Sequence, residues 1–72
     1  MYNEKISKLF RTIRKKKGLS LEKFGMYLHQ NNIHISWQRI RRIERKGDIW
    51  RLTANELIQV LKLENIGLDF FE

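Results

Sequence analysis

The sequence predicts an all-α fold of four to five short helices. Apolar residues recur at helical spacing in four stretches: Ile6, Leu9, Phe10 and Ile13; Phe24 and Leu28; Ile40 and Ile43; Leu57, Val60 and Leu61. Each stretch follows a residue whose side chain can cap a helix, namely Asn3, Ser20, Ser36 and Thr53. Gly18 and Gly47 stand after the first and third stretches, where a left-handed residue ends a helix.

The 72 residues suit one domain with a small core, residues 1–72 as a unit. The chain has no cysteine, so neither a disulfide nor a thiolate zinc site holds it together, as suits a reducing cytoplasm. No apolar run approaches the roughly 18–20 residues that span a bilayer. The start, MYNEKISKLF, lacks the uninterrupted apolar region of a signal peptide. The expectation is a chain without a membrane partner.

The first helix is expected over about residues 4–17. Asn3 caps it, Glu4 sits in the first turn where the helix dipole favours an acid, and Arg14, Lys15, Lys16 and Lys17 crowd the end where cations are favoured. The second is expected over about residues 21–28, with Ser20 as cap and Leu19 and Phe24 spaced as a hydrophobic staple. Gly25 inside it costs about 0.5–1 kcal/mol relative to alanine, and close approach of a crossing helix is a reason to accept that. The connection HQNNIHI, residues 29–35, holds two asparagines that favour a turn, with Ile33 or Ile35 turned inward. The third helix is expected over about residues 37–46. Thr53, Ala54, Asn55 and Glu56 form a capping box that starts the fourth. A last helical turn is expected over residues 68–71.

The formal charge of +7 is unevenly placed. Residues 1–51 hold 14 basic and 4 acidic side chains, while residues 52–72 hold one lysine and 4 acids. A basic surface attracts polyphosphate by releasing condensed counterions, so the charge points to nucleic acid. The third helix concentrates the signal. With Ile40 and Ile43 inward, Gln38, Arg42 and Arg45 lie nearly opposite; Arg39 and Lys46 flank one side, and Trp37, Arg41 and Glu44 the other. Gln38 can bond an adenine edge through both amide atoms, and Arg42 can fork onto a guanine edge. Arg39, Arg45 and Lys46 would hold phosphates and set register, joined by Arg14, Lys15, Lys17 and Ser20.

Trp37 has three readings: contact with a thymine methyl or sugar, partial packing against Leu28, Ile33 or the longer turn before it, or a protein anchor, since Trp and Arg are typical hot-spot residues. Trp50, Phe70 and Phe71 read either as a dimer contact or as closure of the core. His29 and His34 are the only nitrogen ligands available to a metal and no cysteine accompanies them, so no metal site is expected. Ser20 and Ser36 are explained as caps rather than nucleophiles. With no phosphate-binding glycine loop and no paired carboxylates, the sequence predicts no catalytic residues, no cofactor and no enzyme.

In order and spacing, IRKKKGLSLEKFG (residues 13–25), ISWQRIRRIERKG (35–47) and LTANELIQVLKL (52–63) resemble the phage Cro and repressor type of helix-turn-helix, the XRE family. The resemblance covers residues 6–71 and implies a lambda-repressor-like helix-turn-helix domain with residues 37–46 as the recognition helix. It implies that Arg14 and Glu44 pair between helices 1 and 3, that Gly25 occupies a small-residue contact between helices 2 and 3, and that Trp37, Gln38 and Arg42 stand at base-reading positions. With Ser36, Arg39, Arg41, Arg45 and Lys46 they make the expected DNA- or partner-binding face. Three features depart from the family pattern: the segment from Leu28 to Ile35 is about five residues longer, Leu21 stands where a glutamine usually begins the second helix, and Trp37 replaces a small or polar base reader. The function implied is a transcriptional regulator of a lysis-lysogeny type of switch in the cytoplasm of a bacterial host, binding double-stranded DNA as a homodimer. The alternative is an antirepressor, a modulator of repression that binds a co-encoded phage repressor protein rather than DNA.

Overall fold

The structure, a computed structural model, describes residues 3–47, 52–67 and 69. The four capped amphipathic stretches become four helices, and no strand occurs among the described residues: α1 (Glu4–Lys16), α2 (Leu21–Gln30), α3 (Trp37–Lys46) and α4 (Ala54–Leu63). The caps are in place. Asn3 Oδ1 accepts from the Ile6 amide at 3.1 Å, Ser20 Oγ from Lys23 at 3.2 Å and Ser36 Oγ from Arg39 at 3.3 Å. At Thr53 the reciprocal box forms: the Glu56 amide donates to Thr53 Oγ1 at 3.1 Å, and the Thr53 amide to Glu56 Oε1 at 2.9 Å. Each cap satisfies an amide that the first turn leaves without a carbonyl.

Three helices end alike. After α1 the Leu19 amide reaches back to the Arg14 carbonyl at 3.1 Å; after α2, Ile33 reaches Leu28 at 2.9 Å; after α4, Ile66 reaches Leu61 at 2.8 Å. The residue before each donor is left-handed, Gly18 (φ +65°), Asn32 (φ +64°) and Asn65 (φ +59°), and each donor is apolar and rests on the core. This is the Schellman arrangement, with asparagine replacing glycine twice. It also corrects the expected boundary of α2. His29 and Gln30 have no strong helix-stopping tendency, so the helix runs to Gln30 and the turn waits for residue 32. The connection to α3 is therefore residues 31–36. At α1 the helix ends at Lys16, with Lys17 as its cap.

The core lies between α1, α2, α3 and α4. Phe10, Phe24, Leu28, Ile35, Ile40, Ile43, Val60 and Leu61 are fully buried, and both Ile33 and Ile35 turn inward from the connection. Phe10 and Phe24 meet edge to face, centroids 6.3 Å apart, a favoured aromatic geometry. α3 packs on both α1 and α2. The Asn3 amide donates to the Gly47 carbonyl at 2.8 Å, tying the start of α1 to the end of α3. The expected closing turn over residues 68–71, Asp69 apart, lies outside the described residues, as does Trp50.

Candidate functional site

α3 is held by its inner edge. Ile40 and Ile43 are buried, Ser36 caps the start, and Gly47 closes the end in the left-handed region. The opposite edge is thereby fixed towards solvent. Gln38, Arg41, Arg42, Arg45 and Lys46 are all exposed and together line a shallow hollow of about 290 Å³ with no acidic residue in it. Arg41, Arg45 and Lys46 make no ion pair among the described residues. Such a face can bond anionic oxygens and, through Gln38 and the arginines, base edges.

Arg39 does not belong to this face. Its guanidinium turns to α4, NH2 donating to Glu56 Oε1 at 3.1 Å and NH1 to Glu56 Oε2 at 3.3 Å. Burial pushes the Glu56 carboxyl up, but the bonds from Arg39 and from the Thr53 backbone outweigh it, and the group lies below the usual carboxylate value. Arg39 thus fastens α3 to α4, a role the sequence expectation of a phosphate contact did not include.

Arg14 is likewise structural. Nε and NH2 bond the Glu44 carboxylate at 2.9–3.1 Å, and NH1 donates to the Leu19 carbonyl at 3.2 Å. The hydrogen bonds to Glu44 raise the Arg14 pKa, burial opposing them, so the guanidinium stays charged. Glu44 is 3% exposed, and its backbone carbonyl also accepts from Ser7 Oγ at 2.7 Å and from Arg11. The structure therefore brings together the Arg14–Glu44 pair that the family resemblance implies, and the guanidinium expected as a phosphate contact is engaged by Glu44 and the Leu19 carbonyl. Lys17 is engaged too. Its ammonium pairs with Glu64 at 3.3 Å and lies 4.8 Å from the centre of the Tyr27 ring. Tyr27 donates to the same carboxylate at 2.7 Å. Burial, then the bond to Glu64, pushes the Tyr27 phenol up, with Lys17 opposing. Lys15 is exposed, and Ser20 is exposed while its hydroxyl caps α2.

Trp37 opens α3 half-buried against α2. A Cβ on Gly25 would lie 3.3 Å from the Trp37 amide nitrogen and 3.4 Å from its Cβ, so the glycine permits the close crossing that its sequence position suggests. Trp50, Phe70 and Phe71, the expected dimer contact, lie outside the described residues. The Arg39–Glu56 and Tyr27–Glu64 contacts were missed in the sequence because they join residues 17 and 37 positions apart, with no local periodicity to link them. Met26 was missed as well; it interrupts the amphipathic pattern of α2, and that interruption was the available signal.

Among the described residues no group of three or more His, Cys, Asp or Glu side chains could hold a metal ion, and no helix is long and apolar enough to cross a membrane. No protein-family model matches the chain, and no match was found to a curated protein or a solved structure.

Proposed function

We propose that the chain is a DNA-binding transcriptional regulator of helix-turn-helix type, with α2 and α3 as the motif and α3 in the major groove of duplex DNA. The observation that carries this reading is the outer face of α3: five exposed polar or cationic side chains around one hollow, with Arg41, Arg45 and Lys46 unpaired among the described residues. A major groove about 12 Å wide admits one helix, and a recognition helix reads base edges mainly from its N-terminal part. Gln38 and Arg42 are the proposed base readers, and Arg41, Arg45 and Lys46 the proposed phosphate contacts. The lambda-repressor-like arrangement and the bacterial cytoplasm belong to the same proposal. A homodimer would place two α3 helices in successive grooves, about 34 Å apart.

The test is anisotropy of labelled duplex DNA, including the region upstream of the gene, titrated at several salt concentrations. The expected result is affinity falling steeply with salt, because each neutralised phosphate releases condensed cation. Absence of binding at low salt, or affinity indifferent to salt, would overturn the proposal.

A further inference from the structure

A second hollow, of about 510 Å³, lies along α2, the connection and the start of α3. Met26, Ile35 and Trp37 are among its apolar lining, with Glu22, His29 and His34 also lining it. Met26 is 61% exposed, the large apolar side chain most open to solvent among the described residues. The imidazoles face each other edge on, with Nδ1 atoms 2.9 Å apart, and so brace the connection against the end of α2. Gly25 also lines the hollow, and the lack of a side chain there brings the Trp37 backbone hard against α2.

We infer that this groove docks an apolar side chain presented by an acidic segment of a partner protein. The proposal does not rest on the DNA reading: its apolar lining lies outside the α3 hollow, and only the cations at its end, Arg41 and Arg45, are shared with that face. The apolar lining rewards only an apolar occupant, because its gain comes from surface removed from water. Duplex DNA offers little beyond thymine methyls for that purpose, and phosphates gain nothing from the exposed Met26. Methionine is an adaptable lining for such a contact, since its thioether conforms to irregular partners. The charge around the groove selects the occupant's flanks. Trp37, Arg41 and Arg45 stand at successive four-residue intervals on α3, so the groove leads along one ridge onto cations that are unpaired among the described residues. Glu22, in the first turn of α2, is the single acid in the lining. An occupant with carboxylates on the α3 side of its apolar anchor, and none facing Glu22, complements both ends.

The test uses a synthetic peptide in which glutamates stand on one side only of a Leu-Leu-Phe segment, and its twin with Ser-Ser-Ser in place of that segment. Each is titrated into the ¹⁵N-labelled chain and followed by amide chemical shifts. The expected result is shifts centred on Gly25, Met26, Ile35 and Trp37, and about tenfold or more weaker binding by the serine twin, the worth of one buried apolar side chain. Met26→Asp, at an exposed position that leaves the core untouched, should weaken the Leu-Leu-Phe peptide by about tenfold or more while changing duplex DNA affinity less than about twofold. Equal binding of the two peptides, shifts confined to Arg41, Arg45 and Lys46, or no shift at all would overturn the inference. Failure of the wild-type chain to bind DNA would count against the α3 proposal and not against this one.

Discussion

Arg14 and Glu44 lock α1 to α3 through three hydrogen bonds of 2.9–3.1 Å, and Glu44 is the more deeply buried partner. Its carboxylate depends on Arg14 for charge compensation, so the cost of losing Arg14 is that of a buried, unpaired anion rather than that of a surface ion pair. Arg14→Ala should lower stability by about 2–3 kcal/mol, below the 3–5 kcal/mol of a fully buried pair because Arg14 keeps some contact with water. Replacing both residues, Arg14→Met with Glu44→Leu, should recover most of the loss. Urea unfolding of the single and double variants measures both; a single variant as stable as wild type would contradict this account.

Glu56 gives the fold an acid-sensitive fastening. The pKa of the folded carboxyl lies below its ordinary 4.5, with burial opposing and Arg39 and Thr53 prevailing. The stabilisation is therefore complete above pH 4.5 and fades as pH falls through the folded-state value. Glu56→Gln should cost about 1 kcal/mol at neutral pH, the worth of a helix cap with a partly exposed ion pair. Between neutral pH and the acid range, the stability of that variant should change less than that of wild type, as thermal unfolding at several pH values would reveal.

Asn32 holds φ +64°, where a Cβ is strained and asparagine is tolerated better than most residues. Asn32→Gly should leave stability equal or raised, and Asn32→Ala should lower it by roughly 1 kcal/mol. If Asn32→Ala unfolds at the wild-type urea concentration, the left-handed turn is not what ends α2.

At Gly25 two effects oppose each other. Alanine would improve the helix by about 1 kcal/mol, yet its Cβ would sit 3.3 Å from the Trp37 backbone nitrogen. Gly25→Ala should therefore fall within about 0.5 kcal/mol of wild type. Gly25→Leu, which cannot be accommodated without parting α2 from α3, should lose about 2 kcal/mol. Differential scanning fluorimetry of the two variants distinguishes crowding from simple helix propensity.

What was legible in the sequence is local. The four caps and the burial of Ile40 and Ile43 depend on residues within one turn of each other, and spacing alone reveals them. The end of α2 was displaced by two residues because the stop depends on the single backbone conformation of Asn32, not on the composition of HQNN. The division of the basic residues was legible only in part. Helical spacing puts Arg39 on one flank and Arg45 opposite the buried edge, but only the placement of α4 gives Arg39 a carboxylate and leaves Arg45 none among the described residues. Arg14 and Glu44 could be paired in advance only through family resemblance, since 30 residues separate them.

That division makes Arg39 and Arg45 a matched pair for testing the proposed α3 interface. Each carries one positive charge on the same helix, six residues apart. Arg45→Gln removes a cation that is unpaired among the described residues, so it should reduce the salt dependence of DNA affinity by about one unit of slope and leave stability within about 0.5 kcal/mol. Arg39→Gln removes the partner of Glu56, so it should lower stability by about 0.5–1 kcal/mol while leaving the slope nearly unchanged. Salt-dependent anisotropy and urea unfolding on both variants give four numbers. The reverse pattern, Arg39 governing the slope and Arg45 the stability, would mean that the Arg39–Glu56 pair opens on DNA and that the face of α3 extends towards α4.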